Sequence, residues 1–244
     1  MTLPRPVGHL RTLLIGKAAP YSRPGTVSAI DKTAVSGSLM AGELGLAGDE
    51  QGDHRVHGGP DKAVHCYVWQ HYPAWRSELP AGAQQPLLQQ AGAFGENFSI
   101  EGCDEAGVCI ADQWRIGTAV FEISQGRQPC WKLNDRFGVV DMASRVQDSL
   151  RAGWYLRVLV PGRVSAGDEI VLLARPHPDW SVQRLLRVIR DRVCDQDELR
   201  RILALPLPES WRKLFQSRLE NGRAEAWDKR LQGSHAIIVS HSER

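Results

Sequence analysis

Residues 121–134 place one thiol, Cys130, between two cations, Arg127 and Lys132, directly after Pro129. Positive charge close to a cysteine favours the thiolate, the form that attacks electrophiles and binds soft metals. Cys130 is therefore the first candidate for chemistry in this chain. The competing reading is a buried, inert thiol that happens to follow a proline, and spacing alone does not separate the two. Upstream, His54, His57, His65 and Cys66 offer nitrogen and sulfur donors, yet they match no short zinc signature and contain no Cys-x-x-Cys pair. His57 stands beside Gly58 and Gly59, where bare backbone lets a ligand approach and exposes amides to an anion, so it reads either as a pocket hydrogen-bond donor or as a plain turn histidine. Asp49, Glu50, Asp53 and Asp61 supply carboxylates without identifying a catalytic pair. The chain has no Gly-x-x-x-x-Gly-Lys-Ser/Thr loop, and residues 42–48 do not lead from a strand into a helix, which argues against bound ATP or NAD.

A loop of this kind needs a rigid frame. Phe121 and Ile123 alternate with Val120, Glu122 and Ser124, the period of a half-buried strand, and Gly126 with Pro129 breaks it. Residues 114–116 and 119–124, joined by Gly117-Thr118, read as a hairpin that delivers the chain to the thiol. Further short β-favouring runs occupy 10–17, 26–33, 63–67, 152–160 and 168–173, and Tyr72, Trp75 and Leu79 recur at helical spacing before Pro80. The glycine-rich stretch 37–59 reads as an extended functional loop. Many short strands with few intervening helices predict an antiparallel barrel rather than a parallel sheet. The periodicity changes at Arg175-Pro176-His177-Pro178. Beyond it three helices are predicted, the first capped by Ser181 and the third ending near Asn221-Gly222, with a frayed tail after Gly233. The expected class is α+β, with a barrel domain at 1–176 and a small helical domain at 177–244.

At 244 residues the chain can bury a substantial core, and a net charge of +2 gives no general signature for nucleic acid or an anionic membrane. No apolar run is long enough to span a bilayer, and five irregularly spaced cysteines predict reduced thiols in the cytoplasm.

Three stretches resemble the MOSC proteins of the YiiM group. They are Ser124-Gln125-Gly126-Arg127-Gln128-Pro129-Cys130-Trp131-Lys132-Leu133; the segment from Gly45-Leu46-Ala47-Gly48-Asp49-Glu50-Gln51 to Val56-His57-Gly58-Gly59-Pro60-Asp61-Lys62-Ala63-Val64; and Phe94-Gly95-Glu96-Asn97. Gly126 stands where that family often has proline, and Ala111 where glycine usually precedes Asp112. The resemblance implies a β-rich MOSC barrel with a small C-terminal helical domain. It also implies a molybdenum cofactor (molybdopterin) ligated by Cys130 and contacted by Asp49, Gln51, His57, Gly58, Lys62, Phe94, Gly95, Glu96, Asn97, Arg127, Lys132 and Asn134. Lys62, Arg127, Lys132 and Arg136 become candidates for the pterin phosphate, since a dianion seeks fixed cations. His57 and Asn97, in glycine-containing segments with few apolar neighbours, are expected to orient a ligand rather than to hold the fold. The implied activity is reduction of N-hydroxylated compounds such as hydroxylaminopurine-like bases to amines. Cys103 and Cys109 form no plant-type iron–sulfur run, so electrons are expected from a separate flavoprotein reductase. Two alternatives stand beside this: a non-catalytic carrier of the same cofactor, and a thiol enzyme without metal.

Overall fold

The computed structural model describes residues 3–52, 58–82 and 85–233. Asp53, His54, Val56 and His57, and the tail after Gly233, lie outside them. In chain order the strands are β1 (Arg5–Gly16), β2 (Ala19–Pro20), β3 (Val27–Ser28), β4 (Lys32–Ala34), β5 (Ser38–Gly42), β6 (Gly45–Leu46), β7 (Val64–Val68), β8 (Phe98–Glu101), β9 (Gln113–Ile116), β10 (Ala119–Gly126), β11 (Trp154–Val160), β12 (Gly162–Ser165) and β13 (Glu169–Ala174). Seven of them close a barrel in the order β1-β13-β9-β10-β11-β7-β8, returning to β1. All of these pairs are antiparallel except β7 with β8. Closure removes the exposed edges that an open sheet would present. β4 pairs onto β1, while β5, β6 and β12 form a small second sheet and β2 with β3 a ribbon.

Helices are α1 (His71–Glu78), α2 (Lys132–Phe137), α3 (Met142–Ser149), α4 (Val182–Arg190), α5 (Gln196–Leu203), α6 (Glu209–Asn221) and α7 (Asp228–Leu231). The class is α+β. Inside the barrel Leu10, Leu13, Phe98, Phe121, Trp114 and Trp154 form a core continuous with Leu185 and Ile189 of α4, so the helices share apolar surface with the barrel.

Several local expectations need correcting. The predicted strand at 26–33 is split into β3 and β4, because Ser28 Oγ accepts the N–H of Ile30 at 3.3 Å and turns the chain between them. The stretch 37–59, expected as a loop, contains β5 and β6, with β5 paired to both β12 and β6. The segment after Cys130, to which the sequence reading assigns no element, forms α2 and α3. In the helical region Ser181 caps α4 by accepting the Arg184 N–H at 3.1 Å, Gly222 ends α6 at φ 62°, and a fourth short helix, α7, follows.

The two departures from the family pattern have physical readings. Ala111 adopts φ 61°, a left-handed conformation that glycine reaches without steric cost. A Cβ at Gly126 would lie 2.9 Å from Leu186 Cδ2 and 3.2 Å from Val182 Cγ1, so the bare backbone lets α4 pack against the end of β10.

Candidate functional site

β10 is buried on alternate positions through Ile123 and then on every residue from Ser124 to Gly126, where α4 covers its second face. Past the strand, Arg127 N–H donates to the Gly153 carbonyl at 2.9 Å, which fixes the start of the cysteine loop on the turn before β11. Trp131 N–H donates to the Arg230 carbonyl at 2.8 Å, and Leu133 N–H to the Cys130 carbonyl at 3.0 Å. The thiol is thus held between a barrel strand and α2, with α7 braced against its neighbour. Cys130 is half-buried, and all five cysteines are reduced thiols.

Cys130 opens onto a cleft of about 690 Å³ including its mouth, within the usual range for ligand pockets. Asp49, Gln51, Lys62, Phe94, Gly95, Asn97, Arg127 and Lys132 all line it with Cys130. Glu96, Asn134 and Gly58 do not. Glu96 is fully buried and takes the Tyr72 hydroxyl together with the N–H groups of Gly92 at 2.7 Å and Phe94 at 3.1 Å, so its carboxylate closes the turn that presents Gly95. Asn134 donates to the Leu231 carbonyl at 2.8 Å and accepts the Ala143 N–H at 2.7 Å, tying α2 to α3 and α7. Arg136 is bound to the carbonyls of Ala93 and Gly92 and to Asp31. His57 lies outside the described residues.

The floor of the cleft is a network. Lys32 Nζ meets Asp49 Oδ1 at 2.5 Å, the same oxygen accepts Gly16 N–H at 2.7 Å, and Asn97 Nδ2 donates to Asp49 Oδ2 at 2.8 Å and to the Leu14 carbonyl at 3.2 Å. His65 N–H donates to Asn97 Oδ1 at 3.2 Å. Asn97 therefore joins β1, β7 and the Asp49 turn, a structural share that its glycine-rich surroundings did not predict. Burial pushes the Lys32 ammonium below its ordinary pKa, against the pull of Asp49.

The structure adds Lys32 and Tyr155, which the sequence reading passed over, and His65, read there only as a possible zinc donor. Lys32, His65 and Tyr155 all line the cleft. Burial, with Arg127 and Lys32 adding to it, pushes the His65 imidazole well below 6.5, so it is neutral near pH 7. The signal for His65 is a histidine inside a strand that is buried throughout. Lys32 has no comparable signal. Two buried donors or acceptors on this cleft, His65 Nε2 and Arg127 Nη1, have no hydrogen-bond partner among the described residues. Lys62 lies 5.8 Å from the Tyr155 ring centroid, and burial lowers its pKa while Asp61 and Cys130 pull the other way. Among the described residues, no three His, Cys, Asp or Glu side chains gather as a metal site.

Barrel, helical annex and a thiol set in a cation-bearing cleft define a β-barrel protein with a docked helical unit. Comparison with known proteins narrows that class. Residues 53–171 match the MOSC domain, and residues 180–222 the YiiM-like, 3-alpha helix domain. The chain is 41% identical to Protein YiiM of Escherichia coli over 219 residues, covering 89% of this chain and 96% of that one. The crystal structure of YiiM from Escherichia coli superposes with a TM-score of 0.78, covering 93% of this chain and 100% of that one at 34% identity. A Gibberella moniliformis protein named Reductase is 39% identical over 80% of this chain, which spans 34% of that longer protein. The chain belongs to the MOSC family, in its YiiM branch.

Proposed function

We propose that this protein is a molybdenum cofactor-dependent oxidoreductase that reduces N-hydroxylated compounds, hydroxylaminopurine-like bases among them, to amines. The observation that carries the reading is the coincidence, on one cleft, of a soft thiol and two buried polar atoms without hydrogen-bond partners among the described residues, Arg127 Nη1 and His65 Nε2. Buried polar groups are rarely left unpaired in a native fold, so a polar ligand in the cleft accounts for both. The donor set fits a pterin cofactor that brings further metal ligands of its own, since Cys130 has no described cluster of protein ligands around it. Cys130 would hold the metal, Arg127, Lys62 and Lys132 the phosphate, and Asn97 with Asp49 the polar edge of the pterin.

Reduction of an N–OH group to N–H consumes two electrons and two protons and releases water. When bound, the cofactor would supply two-electron redox and oxygen-acceptor chemistry. Lys62 holds a proton at Nζ beside the thiol, and desolvation makes that proton easier to give up. His65, neutral, offers one ring nitrogen as a donor and the other as an acceptor. Phe94 stacks on Tyr67 at 4.1 Å, which keeps Gly95 rigid at the wall. Electrons come from a separate protein, a flavoprotein reductase. The reduced cysteines suit a reducing compartment such as the cytoplasm, and no described helix is long and apolar enough to cross a membrane.

The test is protein made in a host that synthesises the cofactor, analysed for molybdenum and pterin fluorescence and assayed with chemically reduced viologen and N-hydroxylated adenine. Stoichiometric metal with turnover supports the reading. Metal without turnover favours the carrier alternative, and iodoacetamide-sensitive activity in metal-free protein favours a thiol enzyme.

A further inference from the structure

A second cavity lies on the other side of Cys130. It encloses about 1760 Å³ including its open mouth and shares Cys130, Lys62, Lys132 and Tyr155 with the first, while the helical unit supplies its outer wall through Ser210, Lys229 and Arg230. Its charge is one-sided. Four lining residues are lysine or arginine and, among the described residues, none is aspartate or glutamate; Lys62 and Lys132 also line the inner cleft, whereas Lys229 and Arg230 line the outer cavity alone. The whole chain carries 30 Lys and Arg against 28 Asp and Glu, so this imbalance is local.

The side-chain hydrogen bonds of Lys132 and Arg230 go to neutral acceptors. Lys132 Nζ donates to the Val27 carbonyl at 2.7 Å, and Arg230 to the Pro129 carbonyl at 2.5 Å and to Gln147 Oε1 at 2.6 Å. Asp61 pairs with Arg157 at 2.8 Å and Glu225 with Arg218 at 2.9 Å. Grouped cations of this kind are a site for a dianion with several acceptor oxygens. The cavity is far larger than an inorganic anion, and Trp131 and Tyr155 give it flat aromatic walls of the kind on which a heterocycle stacks.

We infer that this outer cavity is a nucleotide subsite, in which an N-hydroxylated nucleoside 5′-monophosphate places its base toward Cys130 and its phosphate toward Lys229 and Arg230. The inference rests on the reductase reading and deepens it, naming the phosphorylated nucleotide rather than the free base as the preferred substrate. It also gives the C-terminal helices a role in specificity. The competing anion is the cofactor's own phosphate, for which the inner cleft already holds Arg127 with an unpaired nitrogen.

Calorimetric titration of the cofactor-loaded protein with adenosine 5′-monophosphate and with adenosine decides between them. The monophosphate is expected to bind about tenfold or more tightly than the nucleoside, as charge-assisted hydrogen bonds warrant. In Lys229→Ala the ratio of the two affinities should fall about threefold or more, the effect of one rim cation. Lys213→Ala, which removes a lysine paired with Glu209 on α6 away from the cavity, should leave the ratio at its wild-type value. Equal affinities, a ratio untouched by Lys229→Ala, or monophosphate binding found only in cofactor-free protein would each overturn the inference. Turnover separates the two levels. Reduction of N-hydroxylated adenine with no preference for its nucleotide defeats the inference and spares the reductase, whereas tight monophosphate binding with no turnover of either defeats the reductase and spares the subsite.

Discussion

Arg230 in α7 donates from Nη1 to the carbonyl of Pro129 at 2.5 Å, one residue before the candidate metal ligand, although the two are separated by 101 positions in sequence. Its other terminal nitrogen reaches Gln147 on α3. One guanidinium thus clamps the cysteine loop to the helices on both sides. Arg230→Met keeps much of the aliphatic packing but strands both acceptors, a cost of about 1–3 kcal/mol. Hydrogen exchange of residues 127–133 should accelerate while the barrel strands stay protected. Unchanged exchange in the loop would show that the clamp is dispensable.

Cys130→Ser separates ligation from folding. The side chain keeps nearly its size, while a soft sulfur is replaced by a harder, mostly protonated oxygen. The melting curve should remain native-like, with bound molybdenum and reduction of N-hydroxylated substrate falling by orders of magnitude. Serine at Cys66, Cys103, Cys109 and Cys194 provides the controls; loss of turnover with an intact fold at any of these four, or a parental rate in Cys130→Ser, would reassign the ligand.

Asn97→Ala is expected to cost stability as well as ligand. Its side chain serves Asp49, the Leu14 carbonyl and the His65 N–H, all in a buried setting, so truncation leaves unpaired groups worth about 1–3 kcal/mol. A melting temperature within error of the parent, measured alongside pterin retention, would return Asn97 to a purely ligand-facing role.

How much of this is legible in the sequence varies with the distance over which each interaction acts. β10 and its hairpin can be read because Ala119, Phe121 and Ile123 alternate within one strand, and Ser181 announces α4 by a local hydrogen bond. α2 is hidden because Lys132 and Asn134 occupy buried positions that should be apolar. They are satisfied by the Val27 and Leu231 carbonyls, on segments roughly a hundred residues away in either direction. Lys32 is masked for the same reason, its partner Asp49 lying on another turn. The expected cleft residues share one wall in most cases, but Glu96 shows the limit. A carboxylate inside a family-like motif serves the turn that builds the pocket, and only its hydrogen bonds reveal that.

The helical unit should weaken in acid. Burial alone would raise the Glu225 carboxyl, but hydrogen bonds from Arg218 and the Trp227 indole outweigh it and bring it down to about 2. A carboxyl depressed in the folded state favours folding when ionised. Its contribution is complete above the ordinary value of 4.5 and is lost as pH falls toward 2. Denaturant titrations of the native protein between those limits should show stability falling faster than in Glu225→Gln. Parallel pH profiles would exclude this pair as the cause.

Electron supply offers a further check. With no iron–sulfur run in the chain, NADH and the pure protein together should give no reduction, and viologen or an added flavoprotein reductase should restore it. Turnover on NADH alone would contradict the need for a partner.

The barrel closes by pairing β1 with β13, at registers such as Arg5 with Leu172 and His9 with Glu169. A ribosome releases the first of these strands long before the last, so during synthesis the cysteine loop is exposed while the ring is still open. The ring cannot close until residue 174 has cleared the exit tunnel, and the Arg230 clamp is later still. The brace on the cysteine loop is therefore the last of these contacts to form, and a chain interrupted before α7 would carry the loop without it.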